Sequence, residues 1–257
     1  MNYSYIFEEY FVNACKKGDL QLAQEILQKN HKINISYYNE SPFITACSNG
    51  HLEVAQWLYT LSDKSNNIFK YKDRAYKDRA FRGACSNGHL EVAKWLYTLP
   101  DKPTIDISSG PEGEDAFNIA CRYGHLEVAQ WLYTLPGKPA INISANNHYA
   151  FKNACLYGHL EVAQWLYTLP GKSTINISAD NDFAFRFACR IGYLQVAQWL
   201  QSLKPFKYSV NSKIDIISWK INTNCEESLL FILYSLTCKN YTNSLTPNLV
   251  INFAKYI

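Results

Sequence analysis

Six cysteines and four histidines hold fixed slots along this chain, and both residue types can ligate metals or do nucleophilic and acid–base chemistry. Cys15, Cys47, Cys85, Cys121, Cys155 and Cys189 each follow an alanine and stand three residues before a glycine. His51, His89, His125 and His159 each follow that glycine, and Glu53, Glu91, Glu127 and Glu161 come two residues later. For a metal the histidines would have to converge. One histidine per structural layer puts them roughly 8–10 Å apart, too far to share an ion whose ligands lie about 2 Å away. A catalytic cysteine is a single thiol beside a base in a polarising site; six copies in one apolar slot fit core packing. Catalytic carboxylate pairs need unlike surroundings to split their pKa values, and identical slots supply none. Phosphate-cradling Gly-x-x-x-x-Gly-Lys and nucleophile-elbow Gly-x-Ser-x-Gly runs are absent. No catalytic residue, metal or cofactor is expected.

What positions these slots is a repeat. Gly18, Gly50, Gly88, Gly124, Gly158 and Gly192 head one phrase, with gaps of 32, 38, 36, 34 and 34 residues; a period near this length means a solenoid. The phrase reads Ala-Cys-Leu-Tyr-Gly-His-Leu-Glu-Val-Ala-Gln-Trp-Leu-Tyr-Thr-Leu over residues 154–169, and three other copies differ from it at a few positions. Phe151, Ala154 and Cys155 share one helical face, and Gly158 suits a left-handed cap. In the second helix Leu160, Ala163 and Leu166 share a face, flanked by Val162, Trp165 and Leu169, while Glu161 and Gln164 face water. Each unit is thus a helix, a tight turn and a second helix, and must be stabilised by its neighbours. Between units, Leu-Pro-Gly-Lys followed by Ile-Asn-Ile-Ser recurs over 135–144 and 169–178, which predicts a short extended arm. The spacing gives an all-α repeat solenoid. Residues 1–206 hold six units, with helix pairs near 5–29, 41–61, 79–99, 115–135, 149–169 and 183–203. Residues 207–257 hold a degenerate seventh copy, with Cys225 in the glycine slot, and a C-terminal capping helix opened by Thr246 and Pro247.

The bulk numbers agree with a packed fold. Of 257 residues 47% are hydrophobic and 18% charged, a globular composition. A net charge of +3 gives no reason to expect nucleic acid or an acidic membrane as partner. The longest apolar run, 229–236, is too short to span a bilayer, and residues 1–10 lack the pattern of a secretory signal. An intracellular, cytoplasmic monomer with reduced thiols is expected.

The period, the Ala-Cys-x-x-Gly-His-Leu-Glu-Val-Ala phrase and the paired apolar residues that end each second helix resemble ankyrin repeats over roughly residues 5–236. The family's Thr-Pro-Leu-His opening is replaced by Ser-Pro-Phe-Ile at 41–44 and Ala-Phe-Lys-Asn at 150–153, and tryptophan takes the first paired-leucine place. The wording is similar to ankyrin-type proteins of giant viruses of amoebae and of their hosts, which implies work in a host cytoplasm. The resemblance implies a non-enzymatic scaffold that grips a partner protein with arm tips and inner-helix ends. Carried onto matching positions, the tips are Tyr37, Tyr38, Glu40, Tyr76, Asp78, Glu112, Glu114, Asn146, His148, Asp180 and Asp182. The helix ends are Ser48, Asn49, Ser86, Asn87, Arg122, Tyr123, Leu156, Tyr157, Arg190 and Ile191. These slots vary from copy to copy while the phrase around them does not, and tyrosine and arginine carry binding energy more than most residues. The tandem Lys-Asp-Arg-Ala-Tyr and Lys-Asp-Arg-Ala-Phe of 72–81 reads as a slipped duplication in a tolerant arm; its alternative, a basic-aromatic nucleic-acid contact, is diluted by Asp73 and Asp78. The alternative for residues 207–257 is an effector box that recruits a ubiquitin-ligase complex, as some ankyrin-type proteins carry.

Overall fold

The computed structural model describes residues 3–29, 42–61, 74–100, 105–108, 115–135, 141, 143, 145–170 and 175–203. These form helices α1 (Tyr3–Lys17), α2 (Leu20–Lys29), α3 (Pro42–Ser48), α4 (Leu52–Leu61), α5 (Arg74–Ser86), α6 (Leu90–Thr98), α7 (Ala116–Arg122), α8 (Leu126–Tyr133), α9 (Ala145–Leu156), α10 (Leu160–Thr168), α11 (Ala179–Ile191) and α12 (Leu194–Leu203), with no strand among the described residues. The chain divides inside α9 into two compact units, Met1–Phe151 and Lys152–Ile257. The degenerate repeat and cap expected over 207–257 lie outside the described residues.

Glycine makes each turn. Gly18, Gly50, Gly88, Gly124, Gly158 and Gly192 all have φ between 76° and 99°, a left-handed conformation that costs a side chain with a Cβ roughly 1–2 kcal/mol. At Gly50 the turn closes with Gly50 N–H on the Cys47 carbonyl at 3.2 Å and His51 N–H on the Ala46 carbonyl at 2.9 Å. That pair of bonds is the Schellman arrangement, which satisfies the last carbonyls of the first helix. A second constraint acts at the same glycines. A Cβ at Gly18, Gly50 or Gly88 would meet the imidazole of the following repeat's histidine at 2.5 Å, and one at Gly158 would meet the Tyr193 ring.

The histidines therefore tie repeats together. His51 Nε2 lies 2.9 Å from the Lys16 carbonyl, and His125 Nε2 lies 2.8 Å from the Ser86 carbonyl. A carbonyl only accepts, so Nε2 carries the proton in each bond. His89 makes the same kind of bond to the Ser48 backbone. Burial, followed by repulsion from His125 and His51, holds the His89 imidazole below its usual value near 6.5, against the opposing pull of that bond.

The core consists of columns. In the first helices Phe43, Ala46 and Cys47 are closed off from solvent, as are Phe81, Ala84 and Cys85. The six cysteines of this slot are all buried free thiols. In the second helices the enclosed residues are Val54, Ala55 and Leu58 and their counterparts Val128, Ala129 and Leu132, while the leading leucine (Leu52, Leu126, Leu160) is only half-buried. This reverses the expected order of Val162 and Leu160: valine sits beside alanine against the neighbouring helix, and the leading leucine lies at the rim of the turn. The tryptophans of the second helices are half-buried as well. Trp57, Trp95, Trp131 and Trp199 each lean on an earlier repeat. Tyr59 meets Trp95, and Tyr97 meets Trp131, with ring centroids 5.8 Å apart and planes near perpendicular. Phe11, Phe43 and Phe81 approach Trp57, Trp95 and Trp131 at 6.1–6.2 Å. In the second unit Tyr167 and Trp199 repeat the edge-to-face contact at 5.8 Å. Such pairs add about 0.5–1.5 kcal/mol beyond area burial.

Three first helices begin earlier than their apolar periodicity indicates. Helix α5 starts at Arg74, α9 at Ala145 and α11 at Ala179, ahead of 79, 149 and 183. The added turns carry no apolar stripe, and those of α9 and α11 contain left-handed residues: His148 (φ 61°), Asp180 (φ 53°) and Asp182 (φ 59°). Of the described connecting residues, Ile105, Ile143 and Ile175 are buried and plug the core edge.

Gly88→Ala strains the left-handed turn and displaces the His125 ring. It should destabilise the chain by about 2 kcal/mol or more, read by chemical denaturation; a change within about 0.5 kcal/mol would deny the glycine its role. The second expectation concerns pH. A histidine whose folded pKa is lowered stabilises the fold above its unfolded value and loses that contribution as pH falls through the folded value. The melting midpoint should fall as pH drops from about 7.5 to about 5, and His89→Asn should flatten that slope; an unaltered slope would remove His89 from the account.

Candidate functional site

The cysteine column offers no nucleophile. Burial pushes the Cys15 thiol up to about 12 and raises Cys47, Cys85, Cys121, Cys155 and Cys189 further, so each stays protonated in its apolar slot. Among the described residues no group of three His, Cys, Asp or Glu side chains could hold a metal ion. No helix among them is long and apolar enough to cross a membrane.

What the first helices do expose is their C-terminal ends. Tyr123 is 52% exposed and Tyr157 38%, and Ile191 holds the equivalent slot in α11 with an exposed side chain. A tyrosine ring left half in water costs folding little and retains apolar area for a partner. The guanidinium of Arg122 lies 5.8 Å from the Tyr123 ring centroid, within cation–π range. In the first unit these ends enclose a depression of about 380 Å³, lined by Ile44, Ser48, Arg79, Arg82, Gly83, Ser86, Ile119, Arg122 and Tyr123. Three successive repeats contribute: α3, α5 and α7. The floor is low because Gly83 has no side chain; a Cβ there would collide with the Ser48 hydroxyl. The rim is stiffened by Asn87, whose amide donates to the Ser48 carbonyl at 2.9 Å and the Gly83 carbonyl at 3.1 Å. Ser86 Oγ donates to the Gly83 carbonyl at 3.0 Å.

Arg122, Tyr123, Ser48 and Ser86 were expected from the sequence at helix ends, and the fold brings them to this one depression. Arg79, Arg82, Ile44 and Ile119 were not expected. Helical spacing could have found them, since 79, 82 and 86 lie three and four apart, as do 44 and 48, and 119, 122 and 123. The remaining candidates divide. Leu156 is half-buried beside Tyr157, and Arg190 lies in the last turn of α11. Tyr37, Tyr38, Glu40, Glu112 and Glu114 lie outside the described residues.

The tip candidates that can be placed are not tips of extended arms. Tyr76 and Asp78 lie in α5, Asn146 and His148 in α9, Asp180 and Asp182 in α11. Asp78 is only 8% exposed and His148 only 9%, which corrects the expectation that both face water. Asp78 instead accepts the Asp106 backbone N–H at 3.0 Å and so pins the connecting segment of the next repeat. Asp180 is exposed and forms an ion pair with Lys152, and Asp182 is half-buried, its N–H bonded to the Ser178 carbonyl at 3.1 Å. Asp78 and Asp180 are thus each engaged by a neighbouring group of the chain. The tandem duplication has the same fate: its second copy, 77–81, is part of α5, where Lys77 is 1% exposed.

A second depression, about 460 Å³, lies between α2 and α4, lined by Gln21, Gln24, Glu25, Leu27, Gln28, Trp57 and Leu61. It marks where the loose first repeat meets the second, and its lining concentrates no charge.

Two family models match the chain: ankyrin repeats (three copies) over residues 81–181, and ankyrin repeats (many copies) over residues 11–58. Among solved structures, the crystal structure of the human ASB11 ankyrin repeat domain is similar, with a TM-score of 0.53 at 16% identity over 80% of this chain and 90% of that one. That identity speaks for the fold alone. No curated protein matches the chain. With the glycine-capped helix pair, its buried cysteine and phenylalanine columns and the histidine that ties it to the repeat before, the unit is the ankyrin repeat, and the chain is an ankyrin-repeat protein.

Proposed function

We propose that this protein is a non-enzymatic scaffold that binds a partner protein, and that the exposed ends of its first helices are the gripping surface. Ankyrin repeats generally mediate protein–protein interaction, and the observation that carries the reading here is a contrast within the repeat. Ala120 and Cys121 are shut away from solvent, while Arg122, next in the chain, is half-buried and Tyr123 is exposed. Ala154, Cys155, Leu156 and Tyr157 show the same change. A frame held constant with large side chains at its free end suits recognition. The raised cysteine pKa values and the structural use of the histidines support the absence of catalysis in this reading. A cytoplasmic monomer, in a host cell if the chain is viral, fits the same picture. The alternative is an adaptor whose residues 207–257, which lie outside the described residues, recruit a ubiquitin-ligase complex.

The double variant Tyr123→Ala/Tyr157→Ala should weaken partner capture from cytosol by about tenfold or more. Its melting stability should stay within about 0.5 kcal/mol of the parent, because both rings are exposed. Equal loss of stability and capture would make them core residues and move the gripping surface elsewhere.

A further inference from the structure

The depression of the first unit has a chemistry of its own. Its charged lining residues are Arg79, Arg82 and Arg122, and no carboxylate lines it. Among the described residues no ion pair joins Arg79 or Arg82 to an acidic side chain. Arg82 Nε is shielded from solvent and meets no hydrogen-bond partner there. A buried N–H without an acceptor is costly, and the cost is removed when an acceptor arrives. Three guanidinium groups around one small volume also repel one another and raise the local positive potential, in a protein whose net charge is only +3. The other walls are aliphatic, Ile44 and Ile119, and one edge is the Tyr123 ring.

We infer that this depression binds an acidic segment of the partner protein, with one or two Asp or Glu carboxylates set among the three arginines and a neighbouring aliphatic side chain resting on Ile44 and Ile119. The inference rests on the scaffold reading and names the chemistry of the partner. Guanidinium groups pair with carboxylates through two parallel hydrogen bonds, a geometry lysine cannot copy. The Arg82 Nε–H, which has no acceptor, is one such donor once the side chain turns toward the segment. About 380 Å³ admits a few side chains rather than a folded domain. Aliphatic walls favour a peptide over a nucleic-acid backbone, which asks for a basic track with stacking platforms, and here the basic residues are confined to one hollow. Arg122 lies over the Tyr123 ring at the edge of the hollow and adds to its positive potential.

The test uses the full chain and a fluorescein-labelled peptide of glutamate and leucine, followed by anisotropy. A glutamine-for-glutamate peptide, a phosphoserine-for-glutamate peptide and a single-stranded oligonucleotide serve as comparisons. The glutamate peptide should bind. Arg82→Gln and Arg122→Gln should each weaken it about tenfold, and raised salt should weaken it too. Lys94→Gln, on the exposed side of α6, should leave it unchanged. Arg79→Gln alters an exposed residue and gives a second reading if Arg82→Gln fails to fold. Equal binding of the glutamine peptide, or undiminished binding by the arginine variants, would overturn the inference. So would binding of the phosphoserine peptide or the oligonucleotide without the glutamate peptide. If the glutamate peptide fails while Tyr123→Ala/Tyr157→Ala still loses its partner, the acidic chemistry is wrong and the gripping surface stands. If neither responds, the scaffold reading itself is at fault.

Discussion

A pair of short helices has two sides to bury and only the next pair to bury them against. In this chain that single requirement accounts for most of the invariant residues. The second helices run eight to ten residues, below the length at which an isolated helix holds together in water. Their stability has to come from neighbours: the Val-Ala-Leu face, the Tyr-to-Trp edge contacts, and a histidine that reaches back to a carbonyl of the preceding repeat. The glycine turn belongs to the same contact. Its positive φ shapes the corner, and its missing Cβ makes room for the following repeat's ring.

The cysteines and histidines of the repeat take part in this contact. Thiols enclosed in apolar slots are held protonated, and the Nε2–H of His125 is taken up by the Ser86 carbonyl of the preceding repeat. The ends of the first helices reach the surface instead, with Tyr123 and Tyr157 exposed beside the enclosed Cys121 and Cys155. Exposed rings cost the fold little when replaced, which is the basis for proposing recognition there.

The sequence carried the repeat plainly, because glycine caps and enclosed cysteines recur in phase and each has one physical cause. It carried the exposed helix ends too, through their variation. Other features were hidden for identifiable reasons. The early starts of α5, α9 and α11 have no apolar stripe, so periodicity could not register them. Asp78 looked like a surface acid because its partner, the Asp106 N–H, lies 28 residues away. The arginine hollow needed three repeats superposed: Arg79 and Arg82 come from one copy and Arg122 from the next, and only packing shows that Gly83 clears the space between them.

The contact between repeats can be measured directly by a double-mutant cycle on Tyr97 and Trp131, whose rings meet edge to face across two repeats. Equilibrium unfolding of the parent, Tyr97→Leu, Trp131→Leu and the double variant yields the coupling between them. Coupling of about 0.5–1.5 kcal/mol is the predicted result. Losses that add to within about 0.3 kcal/mol would mean that the two repeats do not lean on each other through these rings, and the stacking account would fail at its centre.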